Sequence, residues 1–261
     1  MEKTSRYIFY GYMALVLIFL FLPIVTIIIF SFNVDKFASL PWKGFTWIWY
    51  RNLWLDAGIL EGLKNSVIVS SGVALTSCLL GFMGAYALYR RPLRYENIYL
   101  AAMLSPLAVP WIILGLALVV FLSRINLEGS IVSVWISHTV FAAPFAMMII
   151  RARMSGLDSR YEEAGWDLGA NRLKAIWHIV IPLTLPGLLA AFLLAFTISF
   201  DEFIIAWFVC GFQETLPVKI WGMIRSGLNP TINAVGAVVF VFSMTLAILA
   251  QFLVRPQTKH K

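Results

Sequence analysis

Six long apolar runs, separated by short charged segments, leave this chain few ways to fold. They extend approximately over residues 10–31, 66–89, 100–123, 131–150, 185–210 and 233–254. Each approaches or exceeds the ~20 residues a helix needs to cross the hydrocarbon core of a bilayer. The chain is 61% hydrophobic and 13% charged, where a soluble domain carries about a quarter charged residues. A surface this apolar has to meet lipid. The expected architecture is all-α and integral to a membrane, with six transmembrane helices in one domain over residues 1–261. No internal repeat, low-complexity tract or flexible linker interrupts it.

Lys3 and Arg6 precede an apolar stretch from Ile8 to Phe30, which imitates a signal peptide. It is longer than the roughly 7–15 residues of a secretory core and lacks a small-residue cleavage site, so it reads as the first span. The net charge of +7 would point to nucleic acid in a soluble protein. Here the basic residues fill the gaps between spans and report topology instead. Thirteen fall on one side: Lys3, Arg6, Arg90, Arg91, Arg94, Arg151, Arg153, Arg160, Arg172, Lys174, Arg255, Lys259 and Lys261. Seven fall on the other: Lys36, Lys43, Arg51, Lys64, Arg124, Lys219 and Arg225. The richer side is expected to be cytoplasmic, with both termini there, and an even number of spans agrees.

Cys78 and Cys210 both lie inside apolar runs without metal-ligand spacing and read as small core residues. The outer segment 32–65 holds Trp42, Trp47, Trp49, Tyr50 and Trp54. Rings with one apolar and one hydrogen-bonding end favour a membrane–water interface, and a contact with a partner protein is the other reading. His138 reads as a hydrogen-bonded structural histidine. Pro106, Pro110 and Pro144 read as helix kinks whose freed carbonyls find neighbours.

The segment 151–184, between the fourth and fifth spans, is longer and more polar than a connection needs. Glu162 and Glu163 suit a first helical turn, where the helix dipole is positive. Gly169 suits a sharp turn at a helix end. Leu173, Ile176, Trp177 and Val180 then fall on one helical face, up to Pro182. The expected structure is a helix, a break and a second helix, a rigid lever between two spans.

Glu163-Ala164-Gly165, three residues, Gly169, nine residues, then Ile179-Val180-Ile181-Pro182 resembles the EAA loop of ABC importer permeases. Gly165 and Ile181 depart mildly from the usual E-A-A-x3-G-x9-I-x-L-P. The resemblance implies the type I ABC importer permease fold, with Glu163, Ala164, Gly165, Gly169, Ile179 and Pro182 in coupling helices that dock on an ATPase. It also implies a second permease chain, two cytoplasmic ATPase subunits, an extracytoplasmic substrate-binding protein and a place in the bacterial inner membrane. The chain has no G-x-x-x-x-G-K-[ST] loop, so ATP and Mg are expected on the partner, with no catalytic residue, cofactor or metal here.

Asp201 and Glu202 lie inside the fifth run. A charge at mid-bilayer costs roughly 2.5–3.5 kcal/mol on insertion scales, and such residues face a bundle interior or a water-filled cavity. On a helix Thr197 shares a face with Asp201, and Ser199 with Glu202. A pathway for a cation, a salt bridge within the bundle and a position nearer the interface all fit the residues. Ser199 with the acidic pair, Phe45-Thr46 with Trp49-Tyr50, Ser105-Pro106 and Leu216-Pro217-Val218-Lys219-Ile220 are similar to the spermidine/putrescine permeases of the PotC type. That likeness implies a polyamine substrate, with Asp201, Glu202, Ser199, Thr197 and Trp49 along the pathway. Leu107 stands where some of those relatives have an acidic residue, and other small amines, opines or aminophosphonates are alternatives. An ion-coupled secondary carrier and a structural subunit of a membrane complex are the readings from other classes.

The charge asymmetry predicts a labelling pattern. Single cysteines at Lys43 and Gln213 are expected to react with an impermeant thiol reagent from outside intact cells, and one at Asn171 is not. Labelling at Asn171 would reverse the orientation.

Overall fold

The computed structural model describes residues 2–36, 41–90, 94–227 and 230–254, and their side chains from Ser5 to Phe252. Of the basic positions that set the topology, Arg91, Arg255, Lys259 and Lys261 lie outside the described residues, as does the side chain of Lys3. The helices are α1 (Glu2–Phe30), α2 (Ile48–Leu55), α3 (Ala57–Arg90), α4 (Glu96–Ala108), α5 (Trp111–Arg124), α6 (Ile131–Met154), α7 (Arg160–Asp167), α8 (Arg172–Ala175), α9 (Ile181–Asp201), α10 (Ile204–Val209), α11 (Leu216–Ser226) and α12 (Thr231–Val254). Residues Ile176–Val180 form a π-helical turn between α8 and α9. Five stretches are single helices long and apolar enough to cross a membrane: Ser5–Phe30, Ala57–Arg90, Ile131–Met154, Arg172–Asp201 and Thr231–Phe252.

The third span, expected over 100–123 with kinks at its prolines, is broken rather than kinked. α4 and α5 meet at 98°, so the described residues hold five single spans, or six where this bent pair is counted as one. Pro110 explains the corner. A residue before proline is driven out of the helical region, and Val109 is extended at φ −86°, ψ 129°. Pro106, lacking an N–H, weakens the preceding turn. Pro144 acts differently, because α6 runs through it without a break and buries it.

The chain divides into two compact units. The first draws on Met1–Leu60 and Lys219–Phe242. In it an isolated bridge between Asn33 and Phe45 closes the loop after α1. Phe32 packs there against Phe45, Trp47 and Tyr50, with ring centroids 4.9–5.1 Å apart.

The second unit draws on Glu61–Val218 and Ser243–Lys261. α6 packs along α9, α10 against α5 and α6, and α4 against α6. Its core joins Ala85, Ala146, Met147, Ile150, Met154, Val180 and Ala191. Lipid tails are as apolar as leucine, so helices in a bilayer associate through close packing, and small residues permit it. Ala142, Ala143 and Ala146 on α6 and Ala190, Ala191 and Ala195 on α9 are all buried. Cys78 is half-buried and Cys210 buried, both as free thiols.

Candidate functional site

The fifth apolar run is not one helix to Cys210. α9 stops at Asp201, Glu202 is extended at φ −72°, ψ 125°, and α10 starts at Ile204. A break inside an apolar bundle frees backbone groups where no water can bind them. Glu202 supplies the missing acceptors itself. Its Oε1 accepts from the Ile205 N–H at 2.8 Å and its Oε2 from the Ala206 N–H at 3.0 Å. His138, fully buried in the middle of α6, brings Nε2 to 3.1 Å from the same Oε2. Its Nδ1 lies 2.9 Å from Ser199 Oγ on α9. One buried polar cluster thus ties α6, α9 and α10 together.

Magnitudes explain why a buried acid is tolerated here. The insertion cost of about 2.5–3.5 kcal/mol is set against about 1.5–3 kcal/mol for each hydrogen bond to a charged group. The two backbone donors offset it, with the His138 imidazole 3.1 Å away beside them.

Asp201, the next residue back, has the opposite environment. It is exposed, and its Oδ1 accepts from Ser243 Oγ on α12 at 3.0 Å. Thr197 is half-buried one turn before Asp201, with its hydroxyl returned to the Leu193 carbonyl at 2.8 Å. Trp49 belongs to the first unit, where its indole N–H donates to the Asn33 carbonyl at 2.7 Å. The structure therefore joins Ser199 and Glu202 through His138 and turns Asp201 away from them. The sequence reading assigned His138 a structural role without a partner. A clue was available in the 26-residue length of the fifth run, more than a span needs.

In the loop 151–184, Gly169 adopts φ +85° and ends α7. Its N–H bonds the Trp166 carbonyl at 2.8 Å and the Ala170 N–H bonds the Gly165 carbonyl at 3.0 Å, a paired closure that needs a left-handed residue at this position. The Asn171 side chain then caps α8 by accepting from the Lys174 N–H at 2.8 Å. The expected second helix is not separate from the fifth span, since Arg172–Asp201 is one continuous helix. The wider π turn precedes Pro182, whose ring cannot sit against the carbonyl four residues back in a regular α-helix.

Gly165 is buried, and a Cβ there would run into the Ile179 side chain, so α7 rests on the π turn through this pair. Glu163, Ala164, Gly169 and Pro182 are exposed. So are Tyr161, Leu168, Leu173 and Trp177, an apolar set around an otherwise charged loop. A separate apolar cleft of about 640 Å³ between α3, α4 and α6 is lined by Met103, Pro106, Trp135 and Pro144 among others, and by none of the expected pathway residues.

The family model described as "Binding-protein-dependent transport system inner membrane component" matches residues 77–259. The spermidine/putrescine transport system permease protein PotC of Haemophilus influenzae is 31% identical over 246 residues, 94% of this chain and 95% of the relative. The putrescine transport system permease protein PotI of Escherichia coli is 30% identical, covering 93% and 89%. Among solved structures, a chain of a bacterial ABC transporter that imports the acidic polysaccharide alginate superposes with a TM-score of 0.72 at 17% identity, covering 99% and 98%. A chain of the MetNI methionine ABC transporter gives 0.58 at 20%, covering 78% and 94%.

The cluster at the break predicts a divided response. Glu202→Ala leaves two backbone donors unpaired and His138→Ala removes the imidazole. Each is expected to cost about 3–5 kcal/mol, as removal of one member of a buried pair does. The double variant is expected to cost less than the sum. Asp201→Asn is expected to leave thermal unfolding in detergent unchanged.

Proposed function

This chain belongs to the family of binding-protein-dependent transport system inner membrane components, and on that premise we propose that it forms half of the translocation pathway of an ATP-driven importer for a small polyamine such as spermidine or putrescine. It is a transport permease subunit of the bacterial inner membrane and crosses that membrane several times. In the proposed assembly it pairs with a second permease chain, receives substrate from an extracytoplasmic binding protein and is driven by two cytoplasmic ATPase subunits that hold ATP and Mg. Both termini are cytoplasmic in this reading, as the basic asymmetry supports.

Asp201 carries the substrate assignment. An exposed carboxylate at the end of a 30-residue apolar helix is tolerable in a membrane only where it meets water or a cation. At the end of α9, beside a helix break, it is placed to offset positive charge as water leaves a substrate ammonium. Discontinuous helices recur at midplane sites of transporters because their ends offer polar groups. Thr197 shares the Asp201 face, while Ser199 and Glu202 act from behind by holding the break through His138.

Coupling is assigned to α7, the Gly169 turn and α8. Their exposed Tyr161, Leu168, Leu173 and Trp177 give an ATPase subunit an apolar surface to cover, next to Glu163 and Ala164. Gly165 and Ile179 hold α7 on the π turn, and Pro182 follows that turn as α9 begins.

Asp201→Asn keeps size and the bond to Ser243 while removing charge. Uptake of labelled spermidine is expected to fall about tenfold, equivalent to ~1.4 kcal/mol of lost attraction, with the amount of assembled complex unchanged. Uptake at the level of the unsubstituted chain would remove the polyamine assignment.

A second substitution tests the loop. Gly169→Leu forces a left-handed conformation on a side-chain residue, at about 1–2 kcal/mol. It is expected to weaken ATPase co-purification while the membrane helices stay folded.

A further inference from the structure

Glu162, the residue before the loop motif, points inward. It is fully buried at 0% exposure, while its neighbour Glu163 is exposed. Its Oε1 accepts from the Tyr86 hydroxyl at 2.7 Å, and its Oε2 lies 3.7 Å from Nη1 of Arg90. The Arg90 guanidinium in turn stands 4.3 Å over the Trp166 ring. Tyr86 and Arg90 are four residues apart at the end of α3, and Glu162 and Trp166 are four apart on α7. Residues at this spacing lie on one helical face, so the two pairs close on each other as a clasp.

The clasp is incompletely satisfied. Glu162 Oε2 and Trp166 Nε1 are buried without a hydrogen-bond partner among the described residues. Both groups have room to gain from a small shift of α7 against α3.

We propose that Glu162, with Tyr86 and Arg90, is the positioning contact through which movement of the coupling loop reaches the second span. This rests on the reading that the loop docks an ATPase. A push on α7 and α8 enters the fifth span directly, because Arg172–Asp201 is continuous. α3 has no such covalent route, and the Glu162 contacts supply a non-covalent one. Pulling α7 from α3 would strand a buried carboxylate without its hydroxyl and guanidinium partners, which is costly enough to make the two move together. Gly165, three residues after Glu162 and on the same buried side of α7, meets Ile179, so the short helix touches both spans.

The test uses the complete importer in liposomes, with the binding protein and spermidine. Tyr86→Phe removes one hydroxyl. Glu162→Gln removes the charge facing Arg90 and keeps an acceptor for Tyr86. Both are expected to retain the ATPase subunits and basal hydrolysis, while spermidine transported per ATP hydrolysed falls about five- to tenfold, the low end of typical coupling factors. The double variant is expected to be no worse than the stronger single one, since both act through one contact. An unchanged transport-to-hydrolysis ratio in Tyr86→Phe and Glu162→Gln would overturn the proposal. Loss of the ATPase subunits from both variants would also overturn it, by making the contact one of assembly. Absence of the ATPase from the unsubstituted complex would instead overturn the functional reading, and is seen before any variant is compared.

Discussion

The two bonds that Glu202 accepts from the Ile205 and Ala206 N–H groups make a broken fifth span possible. In a bilayer the backbone has no solvent to fall back on, so a helix can stop only where something inside the protein replaces its next turn. A carboxylate does this with two acceptor atoms at once, and the His138 imidazole balances it from α6. Ser199 holds the other nitrogen of that ring. The consequence is geometric. With Glu202 turned inward, Asp201 is left facing outward at the end of α9, bonded to Ser243.

The same economy governs the loop. A helix of eight residues has little stability of its own. α7 is ordered by what its buried face touches: Ile179 beside Gly165, and Tyr86 and Arg90 around Glu162. The Gly169 turn then reverses the chain within a few residues into a helix that is already the fifth span.

Much of the architecture was legible from residue order. Hydropathy located the apolar segments that form five spans, or six with the bent pair, and the prolines at 106 and 110 marked the third as irregular. Gly169 was recognisable as a turn because few other residues adopt its backbone angles. The break at Glu202 was not legible, because hydropathy averages over windows longer than a helical turn and one acid barely changes the mean. The division of labour between Asp201 and Glu202 was equally hidden, since adjacent residues are identical in charge and differ only in direction.

What the sequence determined by itself is therefore the solvent and the connectivity: the length of each apolar run sets the number of crossings, and the spacing from Glu163 to Pro182 sets the loop. The tertiary structure alone decided which charges are buried. His138 is 61 positions from Ser199, and Tyr86 is 76 from Glu162. Partners so distant in the chain meet only when helices pack. Whether an acid faces a pathway, caps a helix or clasps a neighbour depends on those meetings, because a buried charge is stable only where its partners stand.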